Sequence, residues 1–399
     1  TVRYSLANLP AGASFDSDSW LLGATWTVTP ALKVLASAPL VDGHNDLPWA
    51  IRESKTAPHD VEAYDLRRAT PGHTDLARLA EGRVGGQFWS VYIPGDTATR
   101  NLGYSKVQLE QIDIARRVLA KYPERFVPVT TAAGFTEAFK AGKIGGALGL
   151  EGGHAIENSL GALRAFYDLG GRYMTLTHNQ TLDWADAASD VARHGGLTPF
   201  GKEVVREMNR LGMLVDLSHV SPGTMSDALD VTEAPVIFSH SNARALADHV
   251  RNVPDSILVR LKRNGGVVMV TFVPGFTSQA LIDWNRTPAD RRRGTAPRAT
   301  LAQVADHIEH IRKVAGVDHV GLGGDFDGIT DVVAGLEDVS KYPALIAELS
   351  RRGWSEEDLR KLAGGNVLRA FARAEEVAAR LRTERAPSTA TIEQLDRVP

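Results

Sequence analysis

Eight short apolar runs punctuate this chain, and all but the second and seventh deliver a metal-ligand-type side chain at or just past their C-terminal end. Residues 40–41 lead into Asp42-Gly43-His44-Asn45-Asp46. Run 147–150 ends on Glu151, 173–177 on His178, 213–218 on His219, 236–239 on His240 and 319–324 on Asp325; runs 88–93 and 267–272 end on no such residue. The runs are continuously apolar, as in Gly266-Val267-Val268-Met269-Val270, which is how strands buried on both faces read. Ligand-type residues at the same end of successive strands, with helix-period segments between them, are what a (β/α)8 barrel presents at its catalytic face. The expected fold class is therefore α/β, a (β/α)8 TIM-type barrel with an N-terminal extension and decorated loops.

A barrel takes about 250 residues, more with insertions, so a chain of 399 residues accommodates one with additions at both ends. The expected division is an extension at 1–38, loose or β-like and lying against the barrel, a barrel at 39–370, and a C-terminal helix and tail at 371–399. Helices are expected at 105–120, 136–140, 160–168, 200–211, 301–314, 342–352 and 355–363, with a last one at 367–382. Ser355-Glu356-Glu357 supplies an N-cap and an acidic first turn, and Gly364-Gly365 reads as the stop. The arginine-rich stretch 286–293 reads as a solvated loop after the seventh strand.

The net charge of −3 and the lack of a basic stripe speak against nucleic acid as a partner. No apolar stretch approaches the roughly 18 residues of a membrane span, and neither a leader nor a lipid-anchor signal is evident. A soluble, cytoplasmic protein without membrane partner is the expectation, with the tail covering the barrel or a second subunit of a homodimer. There is no cysteine, so thiolate ligands, thiol nucleophiles and disulfides are excluded together, and His and carboxylate remain as ligands.

His44 and Asp46, two apart at a strand end, share a face and can ligate one divalent ion; a plain polar turn is the alternative. Glu151 has two oxygens and can bridge ions about 3.5–4 Å apart, with glycines beside it leaving room; it also reads as a helix-entry glutamate. His219 and His240 occupy matching places, each behind a serine. The count closes with His44, Asp46 and Glu151 on one ion and Glu151, His219 and His240 on a second, leaving positions for water. A nitrogen–oxygen set suits zinc and admits manganese or cobalt. Asp325 is placed to accept a proton from an acidified water, with Asp327 as its rival. His178 reads as a ligand, a donor to a developing oxyanion or a packed rim residue. Arg251 reads as a fork for a substrate carboxylate or as a structural arginine ahead of a helix.

Val41-Asp42-Gly43-His44-Asn45-Asp46-Leu47-Pro48, Glu151-Gly152-Gly153-His154, Thr175-Leu176-Thr177-His178-Asn179, Asp216-Leu217-Ser218-His219, Phe238-Ser239-His240-Ser241, Arg251-Asn252-Val253-Pro254-Asp255 and Gly323-Gly324-Asp325-Phe326-Asp327-Gly328 together resemble the membrane (renal) dipeptidase family of the amidohydrolase superfamily. The likeness spans residues 40–370. It implies two Zn2+ per chain on His44, Asp46, His219 and His240 with Glu151 bridging. It also implies His178 on the carbonyl or tetrahedral oxygen, Arg251 on the substrate's C-terminal carboxylate and Asp325 handling protons. The implied activity is hydrolysis of dipeptides, including those with a C-terminal D-residue, by a hydroxide shared between the ions. Hydrolysis of an N-acyl amino acid, a lactone or a β-lactam on the same scaffold is the alternative, and a non-catalytic binding protein is a second. The family's disulfide-linked dimers and membrane attachment are not carried over, because the cysteines and signals they need are missing from this sequence.

Overall fold

The structure is a computed structural model and describes residues 30–396, together with a strand pair at Ser14–Phe15 and Leu22–Gly23. Most of the expected 1–38 extension lies outside the described residues. Its last part is a helix, Pro30–Ser37. Proline at the first helical position presets the backbone, and Ala31, Val34 and Leu35 bury one face against helix Tyr342–Arg351.

Eight parallel strands close into a barrel: β1 (Leu40–Asn45), β2 (Val84–Ser90), β3 (Ile144–Glu151), β4 (Gly171–Thr175), β5 (Leu214–Asp216), β6 (Ile237–Phe238), β7 (Val267–Val270) and β8 (Val320–Leu322). Each pairs with the next, and the ring closes where Leu322 pairs with Asp42. This is the expected TIM barrel. A further short strand, Phe126–Pro128, lines the lower edge of β3 before β4 takes over that edge. Among the described residues no helix is long and apolar enough to cross a membrane.

Two expectations are corrected at their boundaries, and glycines lie at both. The second strand was placed at 88–93 but spans Val84–Ser90. Its Gly85 and Gly86 are buried, and added Cβ atoms would stand 2.9 Å from Phe139 and 2.5 Å from Phe135. The helix starting at Glu356, capped by Ser355 as expected, was to stop at Gly364-Gly365. Instead the chain passes through a π turn, Lys361–Gly365, straight into helix Asn366–Glu384. A Cβ on Gly364 would meet the Pro39 carbonyl at 2.5 Å, so this glycine allows the helix to press against the start of β1.

That last helix matters for the barrel. Its Val367, Phe371 and Ala374 join Val41, Phe88, Tyr173, Ile237, Val267 and Met269 in one apolar cluster inside the strands, with Phe371 6.3 Å from Phe88 between ring centroids. The helix runs unbroken through position 370. The stretch 286–293 follows helix Gln279–Arg286 and is mostly exposed, as expected.

Outside the barrel, buried His307 ties two loops together: its Nε2–H donates to the Thr277 carbonyl, and its Nδ1 accepts from the Ala243 amide. Burial holds its pKa down at about 4. His154, whose ring donates to the Ile93 carbonyl, is also held by burial at about 4. An unfolded histidine takes a proton near pH 6.5. The stability these rings contribute is therefore complete above that pH and declines as pH falls toward 4, by about 2 kcal/mol each at pH 5. Accordingly, the drop in Tm between pH 7 and pH 5 should be smaller in His307→Gln, which keeps a donor and an acceptor but does not titrate. Equal drops in variant and wild type would show that His307 takes up its proton in the folded chain as readily as in the unfolded one.

Candidate active site and metal centre

The polar residues of the sequence pattern converge over the C-terminal ends of the strands. His44 lies inside β1, Glu151 closes β3, and His178, His219, His240 and Asp325 fall within three residues past β4, β5, β6 and β8. Asp46 sits at the N-cap of helix Leu47–Arg52 but caps nothing with its side chain. Its carboxylate turns inward, with Oδ2 3.2 Å from His44 Nε2.

Glu151 is the centre of the arrangement, and its two oxygens face different partners. Oε2 lies 3.3 Å from His44 Nε2 and accepts a hydrogen bond from Ser90 Oγ. Oε1 lies 3.1 Å from His219 Nε2, 3.5 Å from His240 Nε2 and 3.8 Å from His178 Nε2. Three overlapping groups can hold a cation: His44, Glu151 and His240; Glu151, His178 and His219; and His44, Asp46 and Asp325. His178 and Asp325 thus stand within ligand reach, alongside the five residues singled out by the sequence.

The hydrogen bonds behind the imidazoles decide which nitrogen is free. Ser239 Oγ donates to Asp216 Oδ2 at 2.6 Å, because a carboxylate can only accept, so the same oxygen must accept from His240 Nδ1–H at 2.8 Å. Asn179 Oδ1 likewise accepts from His219 Nδ1–H. Both Nε2 atoms then carry lone pairs, and these face each other at 2.8 Å. That contact is repulsive without a positive centre nearby. His44 Nδ1 is engaged by the Tyr173 hydroxyl at 2.8 Å, and its buried Nε2 has no hydrogen-bond partner among the described residues. Each of these three histidines is thus oriented by a partner on its far nitrogen, an arrangement that commonly supports a metal site. The donor set fits divalent cations.

Charge agrees with this. Burial pushes His219 and His240 well below the ordinary histidine range, with Arg251 adding to the effect, so both rings are neutral and could serve as ligands. Burial opposes the charge on Glu151, but His44 and the other imidazoles hold its carboxyl well below the usual range. Burial raises Asp325 well above the carboxylate range; His44 offsets this in part, while Asp46 and Glu151 add to it.

A cavity of about 510 Å³ covers these groups. Trp49 and Tyr92, in edge-to-face contact, line it from the β1 and β2 loops. Val273 and Phe276 come from the β7 loop, His249 and Arg251 from the β6 loop. Arg251 is 3% exposed; its Nη2 reaches the His240 carbonyl only at 3.5 Å, and its Nε and Nη1 have no hydrogen-bond partner among the described residues. Burial brings it down to about 10, so it stays charged at neutral pH. His178 packs against His219 and Tyr92, and burial holds it at about 4. Asp327 faces elsewhere: its Oδ1 accepts the His73 amide, and its own amide donates to His73 Nδ1.

The backbone is strained where the chemistry is. His219, Asp325 and Asp327 take φ of 68°, 64° and 68°, a region few residues other than glycine enter without cost. Gly328 is required beside them, since a Cβ there would stand 2.3 Å from Asp46 Oδ2 and 2.7 Å from Asp325 Oδ1. Sequence reading overlooked the supporting residues Tyr173, Asn179, Asp216, Ser239 and Ser90. Among them, Asn179, next to His178 in a polar cluster, and Ser239, directly before His240, carried a visible signal.

Residues 29–385 match the model of the membrane dipeptidase family, peptidase family M19. Among solved structures, the metallo peptidase from Rhodobacter sphaeroides liganded with a phosphinate mimic of the dipeptide L-Ala-D-Ala is 28% identical, covering 84% of this chain and 99% of that one, with a TM-score of 0.72. The dipeptidase AC, a metallo peptidase of family M19, is also 28% identical, over 84% and 98%, with a TM-score of 0.73. The probable dipeptidase PvdM from Pseudomonas aeruginosa, 23% identical over 87% and 98% with a TM-score of 0.77, shares the fold.

Proposed function

The chain belongs to the membrane dipeptidase family, metal-dependent peptide hydrolases, and from that premise we propose that it cleaves dipeptides with two zinc ions held on either side of Glu151. The observation that carries this is the division of the Glu151 oxygens, one toward His44 and the other toward His219 and His240. His44, Asp46 and Oε2 would hold one ion, and Oε1, His219 and His240 the other. Bound there, two divalent ions polarise a peptide carbonyl and acidify the attacking water.

The remaining work falls to the chain's own side chains. Arg251 offers two unengaged donors to the free C-terminal carboxylate, which positions the peptide and excludes longer chains. His178 donates a hydrogen bond to the oxygen of the carbonyl as negative charge develops. Asp325 takes the water proton and delivers it to the leaving amine. Acceptance of a D-residue at the C-terminal position is part of the proposal, supported by the L-Ala-D-Ala mimic bound to the Rhodobacter sphaeroides relative.

Protein loaded with excess zinc should carry about two ions per chain by elemental analysis, since five ligands exceed what one tetrahedral site with an open position uses. It should hydrolyse Ala-Ala and Ala-D-Ala, but barely Ala-Ala amide or N-acetylalanine. Full activity with a single ion would remove the bridging role of Glu151. Faster turnover of N-acetylalanine would move the chain to N-acyl amino acid hydrolysis.

A further inference from the structure

The dipeptidase reading places the substrate's C-terminal residue against Arg251, and the surroundings of that arginine say which residue fits. The Arg251 guanidinium stands 5.3 Å from the centroid of the Phe276 ring. The His249 ring packs on the same ring, with centroids 4.5 Å apart. The Arg251 amide donates to His249 Nδ1 at 3.2 Å. Arg251, Phe276 and His249 thus form one continuous surface. A residue whose carboxylate is engaged by Arg251 has its Cα a few ångströms away and its side chain directed at that surface.

His249 also borders a second cavity. On its other side lies a space of about 320 Å³, lined by Val250, Gly275, Ile282, Asn285 and Arg286, so this one imidazole belongs to the walls of both cavities. The partition is braced from behind. Asn252 Nδ2 donates to the Phe276 carbonyl, Asn242 Nδ2 to Thr277 Oγ1, and the Asp248 amide to Gln279 Oε1. The β6 and β7 loops are therefore joined on both sides of His249 and Phe276, and the wall cannot simply swing aside.

We propose that His249, packed on Phe276, is the partition that limits the substrate's C-terminal residue to a small side chain, so that the preferred substrates are dipeptides ending in glycine or alanine. The inference rests on the dipeptidase reading for its substrate class but on the two adjoining cavities for its content. Removing the imidazole joins the second cavity to the first and admits a large C-terminal side chain. Refilling that cavity restores the limit, and Gly275 is the place to do so, because a Cβ there meets nothing within 4 Å.

The test compares kcat/KM for Ala-Gly and Ala-Phe in the zinc-loaded wild type, His249→Ala and His249→Ala/Gly275→Phe. Wild type should favour Ala-Gly by about 10²-fold, a difference within reach of steric exclusion in an apolar pocket. His249→Ala should narrow the ratio by about tenfold or more, and the double variant should widen it again. If His249→Ala does not fold, Phe276→Ala opens the same wall from its other face. A wild type indifferent to the C-terminal side chain, or a ratio unmoved in a folded variant, overturns the proposal. Calorimetric binding of N-acetylglycine and N-acetylphenylalanine separates this outcome from failure of the dipeptidase reading. If no dipeptide is cleaved, a preference for the smaller ligand that closes in His249→Ala still upholds the partition, and equal binding in wild type rejects it.

Discussion

Asp325→Asn keeps its fold and its metal and loses about 10²-fold or more in kcat, the usual scale for a removed acid–base group. Asparagine has the same shape and tolerates the left-handed backbone that Asp325 occupies. The anchoring bond, from the residue's amide to the His44 carbonyl, is untouched by the change. What disappears is a carboxyl lying over the cation site, 3.9 Å from His44 Nε2, that can accept a proton and return it. Asp325 also completes one of the three groups able to hold a cation, so metal content must be measured alongside rate. Loss of an ion with unchanged turnover per remaining ion would make it a ligand. Asp327→Asn is the control, because that carboxylate is occupied by the His73 amide and its loss should leave turnover near wild type.

Arg251→Met should depress kcat/KM for dipeptides by about 10²-fold, which corresponds to about 2.7 kcal/mol and to one charge-assisted carboxylate contact in a desolvated cleft. The structure gives this residue little else to do. Its side chain makes one long bond, to the His240 carbonyl, and leaves two donors unengaged while buried. Methionine retains the apolar stem and removes only the guanidinium, with its contact to the Phe276 ring. The preference for a dipeptide over its amide should vanish in the variant, since nothing then distinguishes the two ends. If the variant melts lower and keeps that preference, Arg251 serves to hold its loop and the carboxylate is recognised elsewhere.

The barrel and the polar residues gathered at its mouth were legible because burial imposes a pattern on sequence. A strand covered on both faces must be continuously apolar, so a histidine or glutamate at its end stands out, as His219, His240 and Glu151 do. What supports the ligands was not legible. Tyr173 reads as a core aromatic and Asp216 as a strand residue, until β4, β5 and β6 come side by side and Asp216 collects Thr175, Ser218 and Ser239. Two of these partners, Thr175 and Ser239, are 41 and 23 residues away in sequence, and no local spacing announces them. Glycine misled for a related reason. At Gly364 it serves the approach of another element, which only tertiary structure reveals, and a local reading takes it for a helix stop. Asp327, the rival of Asp325 in sequence, is engaged instead by the loop carrying His73.

The left-handed backbone at His219 and Asp325 has a consequence for how this enzyme can vary. Each of these positions passes two filters, one set by chemistry and one by the main chain, and the second favours Asn, Asp and His among residues that carry side chains. A glutamate at 325 would meet a conformational penalty before its reach or basicity mattered. In a library randomised at these two codons, the surviving clones would report on foldability as much as on catalysis. Glu151 and His240 are not among the left-handed residues, so the same library there would read out chemistry with far less interference. Drift at the two kinds of position should therefore run at different rates, even though all four side chains face one cavity.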